Sequence, residues 1–260
     1  EIDGERIVSS DQIEHWDAFP ESMVVVGAGV IGCEYATCFA NFGKTKIYLI
    51  DKAPRILPFE DEDVAQVVGM PRIGDPAPSF TAESTQGPIN FPGDYSGKWV
   101  IFFSHPADFT PVCTSEFITF ASMQGEFADY NTELLGLSVD GLYSHIAWLR
   151  TIKEKITFRG LKDVEVTFPR VEDISMEVAR KYGMIMPGED STKAVRAVFV
   201  VDPKSVVRAV IYYPLSTGRN FDEVLRLLDS CQLTAKHTVA TPVNWKQGED
   251  VIIPPSVSDD

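Results

Sequence analysis

Residues 99–127 combine two patterns that belong together in an α/β fold. Trp99-Val100-Ile101-Phe102-Phe103 is an unbroken apolar run of strand length, the pattern of a strand covered on both faces. It runs into Ser104-His105-Pro106-Ala107-Asp108-Phe109-Thr110-Pro111-Val112-Cys113-Thr114-Ser115-Glu116, where Pro106 and Pro111 stiffen a loop. Phe117, Phe120, Met123 and Phe127 then recur at helical spacing. The pattern predicts a strand, a stiff loop and a helix whose first turn carries Cys113.

That position matters chemically. Only a thiolate attacks an O–O bond efficiently, and a helix start offers unpaired N–H groups and a positive dipole end to an anion. Thr110 lies one helical turn before the sulfur, where its hydroxyl can donate to a peroxide oxygen. Cys113 is therefore the candidate nucleophile, although an isolated cysteine equally fits a buried structural role.

The spacing Pro106-x-x-x-Thr110-x-x-Cys113 resembles the active-site signature of the peroxiredoxins, and the flanking residues resemble their one-cysteine subgroup, typified by peroxiredoxin 6. Further similar segments follow in order: Gly74-Asp-Pro-Ala-Pro78, Gly136-Leu-Ser-Val-Asp140, Val195-Arg-Ala-Val-Phe199, Thr217-Gly-Arg-Asn-Phe-Asp222 and Ala240-Thr-Pro-Val-Asn-Trp245. The resemblance spans roughly residues 70–260. It implies a thioredoxin-like fold and a thiol-dependent peroxidase of antioxidant defence, reducing hydrogen peroxide and alkyl hydroperoxides through a Cys113 sulfenic acid. It further implies that Thr110, Arg196 and backbone amides hold the peroxide, with Pro106 a catalytic-site residue of the same signature, that Glu116 orients the arginine, that His105 borders the pocket and that Arg219 is a second, outer arginine. No cofactor is implied for this chemistry. The implied partners are an external thiol reductant, such as thioredoxin or glutathione, and further copies of the chain in a homodimer or higher homo-oligomer. Each residue also has an ordinary reading. Arg196 could be a solvated strand end, Glu116 a helix first-turn charge, His105 a hydrogen-bonded structural histidine and Arg219 a solvated loop residue.

Residues 1–69 follow another pattern. Met23-Val-Val-Val26 reads as a buried parallel strand, Gly27-Ala-Gly29-Val-Ile-Gly32 as a turn, residues 33–42 as a helix, and Lys46-Ile-Tyr-Leu-Ile50 as a second strand ending at Asp51. This is the dinucleotide fingerprint in its strand–turn–helix setting, a partial Rossmann βαβ unit. Gly27, Gly29 and Gly32 would let a pyrophosphate approach the helix, and Asp51 would accept from a ribose hydroxyl of NAD. The segment resembles the NAD-binding module of flavoprotein disulfide reductases such as dihydrolipoamide dehydrogenase or soluble transhydrogenase. The flavin domain and redox disulfide of those enzymes are missing, so NADH would not by itself reduce an oxidised cysteine. A nucleotide-binding or assembly module fused to a peroxiredoxin scaffold, or an NADH-coupled peroxidase, is the alternative reading.

Boundaries follow: a Rossmann-like segment at 1–69, ended by acidic Glu60-Asp-Glu-Asp63 and by Val67-Val-Gly69; a thioredoxin-like domain at 70–225; and a dimer-forming extension at 226–260. The net charge of −15 argues against nucleic acid and anionic membrane surfaces as partners. No apolar run approaches the ~18 residues of a membrane span. Four cysteines without scaffold spacing suit a reducing compartment, read as cytoplasmic, and no metal ligand set is evident. Cys33 and Cys38, five steps apart on one helix, would have Cα atoms about 8–9 Å apart, beyond the ~7 Å reach of a disulfide. They are expected to be small packing residues. Cys231 continues the helical series Phe221, Val224, Leu225 and Leu228 and is expected to be a packed, nonresolving thiol.

Overall fold

The computed structural model describes residues 8, 9, 13, 18–27, 29–41, 43–51 and 70–254; the stretches at 60–63 and 67–69 lie outside them. The chain divides into two compact units, Glu1–Gly69 and Met70–Asp260.

In the first unit, β1 (Ser22–Val26) and β2 (Lys46–Ile50) pair in parallel, Val24 opposite Tyr48 and Val26 opposite Ile50. Parallel neighbours need a crossover, supplied by α1 (Val30–Asn41). The helix begins before Gly32 rather than after it, for a steric reason. A Cβ on Gly32 would lie 1.9 Å from the Gly27 carbonyl oxygen, so the first helical turn can sit on the preceding turn only with glycine there. Gly27 itself has φ of +110°, a region glycine enters without steric cost. Neither Cys33 nor Cys38 is in a disulfide. Cys33 is half-buried but Cys38 is exposed, so Cys38 is a surface residue, not a packing one.

The second unit is built on a five-stranded sheet in the order β7-β6-β5-β8-β9. Its strands are β5 (Trp99–Ser104), β6 (Thr132–Ser138), β7 (Arg170–Glu172), β8 (Arg196–Val201) and β9 (Val207–Tyr213). A hairpin of β3 (Phe80–Ala82) and β4 (Ile89–Phe91) precedes it. The helices are α2 (Pro111–Asp129), α3 (Leu142–Lys155), the short α4 (Glu177–Lys181) and α5 (Phe221–Lys236). β5, β6 and β7 run parallel, while β8 and β9 are antiparallel to their neighbours. All six residues of β5 are buried, because each face of the sheet meets its own core. Val100 and Phe102 join Leu135, Leu137, Phe199 and Tyr182 on one side. Ile101 and Phe103 join Leu134, Val198 and the apolar faces of α2, α3 and α5 on the other. This is the thioredoxin-like arrangement.

Two consequences of the topology place the site. The loop after β5 leaves the carboxyl end of a central parallel strand. Because β8 is antiparallel to β5, with Phe103 opposite Val198, its first residue, Arg196, arrives at that same end.

Candidate active site

Thr110 caps α2 in an extended conformation and Pro111 occupies its first position, where the missing N–H costs nothing and the fixed φ suits a helix. Just before them, Phe109 takes φ of +58° with its ring exposed. Cys113 thus sits in the first turn, fully buried. Arg196 Nη1 lies 3.3 Å from its Sγ and donates to Glu116 Oε2 at 2.7 Å. The other edge of the same guanidinium donates to the Leu215 carbonyl, Nε at 3.1 Å and Nη2 at 2.9 Å. Held on both edges, the arginine has one direction left, toward the sulfur.

Glu116 is shared. Arg219 Nη2 donates to its Oε2 at 2.7 Å, and Arg219 Nε and backbone N donate to its Oε1 at 3.1 and 2.8 Å. Burial raises the Glu116 carboxyl, but Arg219 and then Arg196 outweigh burial and hold it below the usual carboxylate range. Arg219 is not a solvated loop residue; it joins the site through Glu116. Its side chain is buried, with Nη1 on the carbonyls of Ser104 and Ala197 and its guanidinium over the Phe103 ring. Thr110 Oγ1 donates to the Ala107 carbonyl at 3.0 Å, so its proton is engaged within the loop and would have to turn to meet a peroxide. Pro106, in the same loop, is buried.

His105 is placed deeper than a residue bordering the pocket. It is fully buried, stacked on Trp148 and edge-on to Phe117. Its Nε2 lies 3.1 Å from Asp108 Oδ1 and 2.8 Å from Arg170 Nη2. Asp108 also accepts from Arg170 Nη2 at 2.6 Å and meets His145 Nδ1 at 2.8 Å. Burial, then the Arg170 charge, push the His105 imidazole down to about 3. Burial alone would raise the Asp108 carboxyl, yet the His145 contact and the Arg170 charge keep it below its ordinary value. Asp108, His145, Trp148 and Arg170 escaped the sequence reading because they come from a loop, α3 and β7, joined only by folding. The charged Asp108 inside the motif, and His145 and Trp148 three apart on a helix, were the available signals.

Cys231 lies on α5, half-buried, and burial pushes its thiol up. Asp51 follows β2 directly, at the end where Gly27 N donates to the Ile50 carbonyl at 2.8 Å, so Gly27, Gly29, Gly32 and Asp51 are all drawn to one end of the small βαβ unit.

A buried single thiol facing an arginine, at a helix start on a thioredoxin-like sheet, defines a thiol-dependent oxidoreductase. Residues 73–210 match the AhpC/TSA family, and residues 230–260 match the C-terminal domain of 1-Cys peroxiredoxin. A peroxiredoxin of Methanosarcina mazei is 61% identical over 189 residues, covering 73% of this chain and 86% of that protein. One from Aquifex aeolicus is 50% identical, covering 73% and 87%. Among solved structures, a yeast mitochondrial 1-Cys peroxiredoxin aligns with a TM-score of 0.66 at 45% identity, covering 73% of this chain and 90% of its own. A peroxiredoxin 6 of Arenicola marina gives 0.66 at 36%, covering 72% and 86%. The chain belongs to the peroxiredoxins. It is a thiol-dependent peroxidase whose peroxidase chemistry needs no cofactor, with peroxide as substrate and thiols as reductant. Residues 1–70 match the pyridine nucleotide-disulphide oxidoreductase family, so the segment ahead of the peroxidase resembles a piece of such a reductase. No helix among the described residues is long and apolar enough to cross a membrane.

Proposed function

We propose that Cys113 is the peroxidatic nucleophile. Its thiolate attacks the distal oxygen of hydrogen peroxide or an alkyl hydroperoxide, the O–O bond breaks, and water or an alcohol leaves once the departing oxygen takes up a proton. Cys113 becomes a sulfenic acid. One external thiol condenses with it, releasing water and forming a mixed disulfide; a second thiol then releases Cys113 and departs as a disulfide. The carrying observation is the 3.3 Å contact between Arg196 Nη1 and Cys113 Sγ, made by a guanidinium already fixed by Glu116 and Leu215. That charge stabilises the thiolate and the negative charge developing on the peroxide oxygens. Thr110 and Pro106 shape the loop side of the site, Glu116 aims Arg196, and Arg219 fixes Glu116.

The reductant is thioredoxin, glutathione or a similar thiol, and the setting is cytoplasmic. Residues 226–260 form an extension that joins two chains in a homodimer. Exposed Val243, Ile252 and Ile253 support this reading, as does the family match over 230–260. In the N-terminal unit, the close Gly27–Gly32 packing fits a phosphate-binding turn. Gly27, Gly29 and Gly32 would then receive the pyrophosphate of NAD and Asp51 its ribose; the bound dinucleotide would supply hydride chemistry.

Cys113→Ser tests the nucleophile. Peroxide consumption with a small thiol reductant should fall to background, while Cys231→Ser retains sulfenic-acid formation. Turnover surviving in Cys113→Ser would remove the assignment.

A further inference from the structure

Arg170 is a fully buried cation outside the Arg196–Glu116–Arg219 group. It enters from β7, and its guanidinium lies against the rings of Phe117 and Trp148, 4.6 Å from each centroid. Phe117 is one turn beyond Cys113 on α2, and Trp148 Nε1 donates to Thr114 Oγ1 at 3.2 Å. Through Nη2 the same guanidinium holds Asp108 and His105, both in the loop that carries Thr110. It therefore ties that loop to the first turns of the helix bearing Cys113.

The contacts at His105 Nε2 carry the argument further. Arg170 can only donate and an ionised Asp108 can only accept. Nε2 cannot serve both: bearing a proton it bonds Asp108, and without one it accepts from Arg170. The Arg170 contact is the shorter, 2.8 Å against 3.1 Å, and an N–H on Nε2 would be driven against the arginine's own hydrogens. A neutral ring that accepts at Nε2 carries its proton on Nδ1, which is buried and meets no partner among the described residues. The other charged or titratable groups around the ring are Asp108 on its own loop, Asp140 after β6, His145 on α3 and Cys113 on the helix it packs against through Phe117.

We infer that Arg170 is a positioning residue for peroxide reduction: by donating to His105 Nε2 and Asp108 Oδ1 it keeps His105 neutral with its proton on Nδ1 and locks the Thr110 loop against the Cys113 helix. Misplacement of reacting groups by about 1 Å can cost on the order of a hundredfold in rate, so a tie of this kind has kinetic consequences without touching substrate. The inference rests on Cys113 as nucleophile, but the two fail separately, because the His105 tautomer can be read without turnover.

Long-range ¹H–¹⁵N correlation spectra of the full-length chain read the tautomer directly. Wild type should show a neutral His105 protonated on Nδ1 from pH 5 to 8. In Arg170→Met the proton should move to Nε2 or the ring become imidazolium near pH 6. Stopped-flow oxidation of Cys113 should slow at least tenfold at pH 7 and gain a titration that wild type lacks. Arg170→Lys, which keeps a donor and a charge, should restore the Nδ1–H form and most of the rate. A wild-type His105 protonated on Nε2 overturns the inference whether or not the methionine variant folds. So does a folded Arg170→Met with wild-type tautomer and a superimposable pH–rate profile.

Discussion

At the residue scale, catalysis is a matter of which charges are already paid for by others. Arg196 faces Cys113 while Glu116 and the Leu215 carbonyl absorb its remaining donors, so it needs no rearrangement when negative charge develops at the site. Arg196→Met should slow Cys113 oxidation by about 10²–10³-fold, measured by stopped flow, with the circular dichroism spectrum unchanged; a rate near wild type would remove Arg196 from the mechanism. His105 governs a different property. Its folded value, near 3, lies below that of an unfolded histidine, about 6.5, so between them the unfolded chain binds the extra proton. Stability therefore rises with pH across this window and is lost on acidification from about 6.5 toward 3, by up to ~1.4 kcal/mol per pH unit from this group. Urea titrations of wild type and His105→Gln should diverge in slope over pH 6 to 4, the variant being flatter; parallel slopes would count against a buried neutral ring. The meeting of Cys113, Arg196 and Glu116 could be anticipated from sequence because a motif places two of them on one helix turn. The burial of Arg219 and the depth of His105 were not, since both depend on partners far along the chain, Ser104 and Ala197 for one and Arg170 for the other.

At the scale of elements, the strands were the legible part. β5 and β8 are buried on both faces, so apart from Ser104 and Arg196 at their ends over the site their sequences are unbroken apolar runs. The start of α1 was misplaced because a glycine inside a helix reads locally as a turn, whereas here it is required by the close approach of the Gly27 carbonyl. Helix α5 carries the next expectation. It turns Phe221, Val224 and Leu228 into the core, and Cys231 falls three residues after Leu228 on that side, half-buried, its thiol pushed up by burial. A thiol that resists ionisation is a poor resolving partner. One equivalent of peroxide should leave a dimedone-reactive sulfenic acid at Cys113, and excess should carry it to the sulfinic acid. A Cys113–Cys231 disulfide in the mass spectrum would instead make this a two-cysteine enzyme.

At the scale of the whole molecule, two compact units that match different families share one chain. The peroxiredoxin unit has a core on each face of its sheet, and its relatives match about 73% of the chain. The N-terminal unit has only the first βαβ of a dinucleotide fold among its described residues, with Val24, Val26, Tyr48 and Ile50 exposed along one face of its two strands. A sheet so narrow buries too little apolar surface to be robust by itself. The residues proposed for catalysis, from Pro106 to Arg219, all belong to the second unit. Removing residues 1–69 should therefore leave peroxide turnover with a small thiol within about twofold of the full chain, since no residue of the site and neither core would be lost. NADH should not drive turnover, because hydride transfer to an oxidised cysteine needs a mediator such as flavin. Calorimetry with NAD and an NADH-coupled peroxide assay decide the matter: micromolar binding together with NADH-dependent reduction would make the chain a self-contained reductase–peroxidase. Binding without turnover would leave the glycine turn as a nucleotide site beside an independent peroxidase.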